Sequence, residues 1–161
     1  MIWVALLLAQ GAVSPQIERG EALFFQAAKG CGTCHSLKGK GTAVGPGLTG
    51  MGRLSPQAIA AAIRSTGTAY VQTAKLKDKE SFSAMPVSQD DTIVQVYDLS
   101  KMPPELRKIP RGEVTMGGHD GSWKHSKAVG EYTVEQLADI VAYVRYAASG
   151  SRKPVEPSQV Q

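Results

Sequence analysis

The stretch "KGCGTCHSLKGKG", residues 29–41, holds both cysteines of the chain, Cys31 and Cys34, with His35 directly after the second. Three chemistries compete for such a cluster. A redox dithiol of the thioredoxin type sets its first cysteine at a helix N-terminus, usually after a strand. Here a segment of helical periodicity precedes and a glycine loop follows. A zinc site wants four ligands, and only His119 and His125 remain to complete one. Covalent haem attachment accounts for every position. Two cysteines separated by two residues reach the two vinyl groups on one porphyrin edge and form thioethers, and the adjacent histidine falls beneath the iron. The cluster predicts one haem c, bonded through Cys31 and Cys34, with His35 as proximal ligand.

Working outward, the residues from Pro15 read as a helix. Ile17, Gly20, Ala22, Leu23 and Phe24 lie largely on one face, and Gly30 stops the segment. Residues 36–53, "SLKGKGTAVGPGLTGMGR", are rich in glycine and form a loop long enough to wrap something. Ser55 and Pro56 are an N-cap and a first-turn proline, opening a helix that ends at Gly67. Between 70 and 99, "YVQTAKL", "ESFSAMPV" and "DTIVQVYDL" concentrate β-branched residues between short turns, which predicts a small antiparallel sheet. "KMPPELRKIPRGEV" reads as a proline-broken connection and "GGHDGSWKHSKAVGE" as a further loop. The last helix starts at Thr133, which forms a capping box with Gln136. Leu137, Ile140, Val141, Val144 and Ala148 make its apolar stripe. The tail, 149–161, is expected to be disordered.

With 161 residues, 42% of them hydrophobic, the chain supports one domain with a genuine core. A formal charge of +4 fits an acidic partner or membrane surface. The lysines are scattered rather than interleaved with aromatics, which argues against nucleic acid. Residues 2–9 form an apolar run, too short to span a bilayer, and residues 1–14 are read as an export signal. No Lys or Arg precedes the run. Thioether attachment usually occurs outside the cytoplasm, so a periplasmic or otherwise exported protein is expected.

At this point the chain resembles a family. "GEALFFQAAKGCGTCHSLKGKGTAVGPGLTG" is similar to the N-terminal half of a class I cytochrome c, and "YTVEQLADIVAYVRYA" to its C-terminal helix. The resemblance implies a mostly α, cytochrome c-like fold around one haem over residues 15–148, with a β-rich insert at about 70–99 that the simplest members lack. It implies that the first and last helices cross where Gly20, Phe24 and Tyr143 meet. It also implies that the Pro46 carbonyl accepts the ring N–H of His35 and fixes its tautomer.

Members of that family usually supply a distal methionine from the loop before the last helix. This loop has none, and alignment on the final helix sets His125 at the ligand position. Met116, on a glycine-flanked stretch upstream, is the second choice. Met85, Met102, His119 and an open site complete the alternatives, and Met51 reads as a packing residue. A second imidazole lowers the potential relative to a thioether. The expected function is one-electron transfer between redox partners, with a dehydrogenase or respiratory complex among them. Its rivals are a haem enzyme or gas sensor with an open sixth position, where His119 and Asp120 would act, and the haem subunit of a dehydrogenase.

Overall fold

Three α-helices and one five-stranded sheet form the regular structure of the computed structural model, among the residues it describes: 12–27, 30–65, 68–125 and 132–161. Helix α1 (Pro15–Phe24) is capped by the Ser14 hydroxyl, which accepts the Ile17 N–H, with proline in its first turn. Helix α2 (Pro56–Arg64) repeats that device with Ser55 and Ala58. Helix α3 (Val134–Ser149) opens on the capping box of Thr133 and Gln136. Its apolar side is the centre of the main core, where Ile140 and Val141 are fully buried together with Ile17, Phe24, Leu37 and Ile59.

Helix α1 crosses α3 at Gly20. A Cβ there would overlap the backbone carbonyl of Asp139 and come within 2.8 Å of Tyr143 Cβ. Absence of a side chain is therefore what lets the two backbones touch. One residue earlier, Arg19 forms a two-pronged pair with Asp139 at 2.7 and 2.9 Å. One turn on, the Phe24 and Tyr143 rings sit 5.4 Å apart. Gly20, Phe24 and Tyr143 thus meet at one crossing.

The sheet is larger than the sequence reading allowed. Strands β1 (Gln72–Leu76), β2 (Ser81–Gln89), β3 (Ile93–Asp98), β4 (Glu105–Pro110) and β5 (Val114–His119) are ordered β4-β3-β2-β1-β5, every pair antiparallel. The insert expected at about 70–99 therefore runs to His119, and the fold is not plainly mostly α. The prolines that suggested a broken connection flank β4 rather than interrupt it: Pro103 and Pro104 precede Glu105, and Pro110 closes the strand. Pro86, opposite Val96, sits beside the register shift between β2 and β3, the kind of place where a strand tolerates proline.

Strand order also dictates curvature. In a flat sheet, β4 and β5 would lie four strand spacings apart, roughly 19 Å. The three residues Arg111–Glu113 join them directly, and the path from Pro110 to Val114 extends at most about 14 Å. The sheet must therefore curl toward a barrel. Its concave side holds a second core of Ala74, Phe82, Ala84, Val94, Val96 and Ile109, separate from the helical one.

The C-terminal tail also departs from expectation. Val155 and Val160 are buried in the helical core. The Gln16 side chain bonds the Val155 backbone both ways, donating to its carbonyl at 2.8 Å and accepting its N–H at 3.1 Å. The valines in "KPVEPSQVQ" supply the burial that a polar tail would lack. Residues 1–11, which include most of the expected export signal, and Gly67 lie outside the described residues. No described helix is long and apolar enough to cross a membrane.

Candidate functional site

Cys31, Cys34 and His35 share one wall of a cavity of about 470 Å³. A single 3-10 turn, Cys31–Thr33, carries the first cysteine and hands the chain to the second. The His35 N–H donates to the Cys31 carbonyl at 2.8 Å, so the three ligand-type side chains are fixed relative to one another by backbone. Phe24, Leu48, Ile59, Ile63, Ile140 and Val144 supply apolar walls from the helical half. Tyr70, Met85, Leu99 and Trp123 close the cavity from the side of the sheet.

The two thiols are unpaired. Burial pushes the Cys31 thiol up to about 11 and raises Cys34 as well. A dithiol oxidoreductase depends on a readily formed thiolate, and here the surroundings oppose one. His35 is shifted the other way: burial lowers its pKa, the Pro46 carbonyl opposes that, and the facing His125 adds to it. The shift favours the neutral imidazole, the form that ligates a metal.

The glycine loop positions that imidazole. His35 Nδ1 lies 2.7 Å from the Pro46 carbonyl oxygen and, as the N–H donor, leaves Nε2 free to point into the cavity. At Gly45 a Cβ would approach His35 Cε1 to 2.9 Å and Nδ1 to 3.3 Å, so the loop passes flush against the ring. The loop is tied down by the N–H groups of Val44 and Gly45, both donating to the Cys34 carbonyl at 3.0 and 2.7 Å.

His125 stands across the cavity. Its ring centroid is 5.9 Å from that of His35, with the ring planes 71° apart. Its Nδ1 lies 3.0 Å from the Ile63 carbonyl at the end of α2, so this imidazole too donates from Nδ1. Metal–imidazole bonds of about 2 Å on either side of one ion set two coaxial ring centroids roughly 6 Å apart. The spacing of His35 and His125 matches that requirement. Trp123 packs against His125, with ring centroids 6.3 Å apart.

The other distal candidates fall elsewhere. Met116 lies in β5, opposite Ala74 of β1, and packs against the core of the curled sheet; it does not line the cavity. Its strand pairing, invisible in the glycine-rich "EVTMGGHD", places it away from His35 and His125. His119 ends the same strand opposite Gln72 and is exposed. Asp120, its suggested acid–base partner, is turned toward Ser83 and Ser122. That pair therefore does not face the cavity. Met102 is 41% exposed, with its sulfur 4.0 Å from the Thr33 hydroxyl. Met85 and Met51 do line the cavity.

Sequence reasoning missed the Ile63 carbonyl and the wall formed by Tyr70 and Leu99. The first is a backbone atom at a helix end and carries no residue-type signal. The second follows from the sheet's curvature.

Two thiols on one wall, two imidazoles facing across an apolar cavity, and a loop with no side chain beside His35 fit a haem bonded through Cys31 and Cys34. No curated protein matches the chain. The Cytochrome c family model matches residues 17–102, more than half of the 161 residues, and the match ends before His125 and α3. The chain belongs to the cytochrome c family, a haem-binding family of electron-transfer proteins with covalently attached haem c.

Proposed function

We propose that the protein is an exported, periplasmic one-electron carrier of low potential, with one haem c ligated by His35 and His125. The observation that carries this reading is the pair of imidazoles facing each other at 5.9 Å, each with Nδ1 held by a backbone carbonyl. When bound, haem supplies an iron that gains and loses one electron. Cys31 and Cys34 would tether it by thioether bonds, and His35 and His125 would both ligate its iron, leaving substrates no vacant site. The carbonyls of Pro46 and Ile63 strengthen each imidazole as a donor. Imidazole in place of thioether sulfur lowers the potential within the range of about 0.8 V that axial ligands command. The apolar walls keep water from the metal, so little rearranges when the charge changes.

Electrons would pass to redox protein partners, a dehydrogenase or respiratory complex among them, docked at the edge of the cavity. Of the basic residues flanking the attachment motif, Lys38 and Arg53 are exposed, and Lys40 is paired with Glu21 at 3.4 Å. Lys29 lies outside the described residues. The net charge of +4 favours an acidic partner surface, with docking that weakens as salt rises. Membrane association is not required by this reading.

The test is His125→Ala, expressed in a host that matures c-type cytochromes. The ferric variant is expected to become high-spin, and its ferrous form to bind carbon monoxide rapidly, whereas the parent binds it only slowly, as His125 detaches. A variant that stays low-spin would remove His125 as the ligand. Rapid carbon monoxide binding by the parent itself would instead support an open sixth site, hence a sensor or enzyme.

A further inference from the structure

We infer that Asp120 is a positioning residue for His125: its buried carboxylate fastens the segment leading to the distal imidazole onto the curled sheet, so that the sheet helps hold the sixth ligand on the metal. The inference rests on the reading of His125 as an axial ligand.

Asp120 is 9% exposed and sits at the point where β5 gives way to the distal segment. Its Oδ2 accepts the Ser83 hydroxyl of β2 at 2.7 Å. Its Oδ1 accepts the Ser122 N–H at 2.9 Å and the Ser122 hydroxyl at 2.6 Å. Its own N–H donates to the Val71 carbonyl at 2.8 Å. One side chain thus joins the middle of the sheet to the turn that starts the segment, and hydrogen bonds from Ser122 and Ser83 hold the carboxyl down at about 2. Trp123, next along, lies against the His125 ring.

Only four residues separate Asp120 from His125. Anchoring the chain at Asp120 confines the imidazole to a short tether and raises its effective concentration at the metal. The Ile63 carbonyl then orients the ring from the opposite, helical side. Two independent fixtures, one from each half of the molecule, therefore converge on this histidine. Loss of the carboxylate leaves the orienting carbonyl and the Asp120 N–H bond to Val71 intact but frees the turn at Ser122 and its link to Ser83, so that the segment before His125 is held at one point only. The imidazole then spends a larger fraction of time detached.

The experiment uses the holoprotein and follows carbon monoxide binding to the ferrous form, together with the ferric spin state. Asp120→Ala is expected to bind carbon monoxide about tenfold or more faster than the parent, the scale of effect typical when a ligand loses its supporting partner. It is also expected to show a high-spin ferric fraction that added imidazole converts back to low-spin. Asp120→Asn, whose amide oxygen still accepts from Ser122, should recover part of the parental behaviour. Ser83→Ala, a milder lesion that severs only the link to β2, should move both readouts in the same direction and serves if Asp120→Ala does not fold. Ile109→Ala weakens the sheet core away from the anchor and should leave both readouts parental. Parental carbon monoxide kinetics in Asp120→Ala and Ser83→Ala, with His125→Ala binding rapidly, would overturn the inference while leaving the axial assignment standing. A His125→Ala protein that remains low-spin and inert would remove both.

Discussion

His35 is positioned by two backbone neighbours, Pro46 and Gly45. The Pro46 carbonyl takes its Nδ1 proton at 2.7 Å, and Gly45 lies flat against its ring. Replacing Gly45 by alanine forces a methyl group into the space within 2.9 Å of Cε1, below ordinary contact distance, so the imidazole must tilt. The Pro46 bond then weakens, and a poorer donor stabilises ferric iron less. Gly45→Ala is therefore expected to raise the reduction potential, measured by spectroelectrochemical titration of the holoprotein; an unchanged or lower value would contradict this account of the loop. Much of this site was legible because Cys31, Cys34 and His35 are adjacent in sequence and Pro46 follows in a recognisable "GPGL". His125 was legible by a different route, as the residue standing where the resemblance expects a methionine. The Ile63 carbonyl was not, because a main-chain acceptor announces itself in no residue type. The Asp120 anchor left a faint trace: "DGS" is a turn signal in which an aspartate accepts from the residue two further on, but its reach to Ser83 of β2 is a tertiary fact.

The helices follow their caps. Ser55 and Thr133 each begin the helix the sequence assigned to them, and Ser14 caps the helix read from Pro15, because a cap satisfies donors only a few residues away. What those helices do next depends on one missing side chain. At Gly20 the backbones of α1 and α3 meet closely enough that a Cβ would strike the Asp139 carbonyl. Backbone cannot yield as a flexible side chain does, so Gly20→Ala must pry the helices apart, at a cost of about 3 kcal/mol, the upper part of the usual overpacking range. Denaturant unfolding of the holoprotein checks this; a loss below about 1 kcal/mol would mean the crossing is looser than described. The strands were less legible than the helices. β1, β2 and β3 announced themselves by β-branched residues, whereas β4 is bracketed by prolines and β5 contains Gly117 and Gly118, which discourage a strand assignment. Pairing decided both: β4 is completed by six partners on β3, and β5 by β1, its neighbour in the sheet though far away in sequence.

Across the whole molecule, the helical core and residues at the border of the sheet line one cavity. The helical core supplies the wall with Cys31, Cys34 and His35, while the sheet, with a core of its own, supplies Tyr70, Met85 and Leu99. Sequence patterns revealed that an insert existed but not that it curls, because curvature follows from strand order and the short link of Arg111–Glu113 rather than from any local signal. The same limit explains the tail, read as disordered from its prolines and polar residues yet buried through Val155 and Val160. Folding brings His35, from near the start of the chain, face to face with His125, ninety residues on, and that juxtaposition is the central claim. The measurement that bears on it most directly is the electron paramagnetic resonance spectrum of the oxidised holoprotein at low temperature. Ring planes 71° apart act almost equally on the two iron orbitals that imidazoles perturb, leaving them nearly degenerate. The account predicts a low-spin signal of large anisotropy dominated by one low-field feature. A high-spin signal, or a well-resolved rhombic low-spin spectrum accompanied by a sulfur-to-iron charge-transfer band, would contradict it.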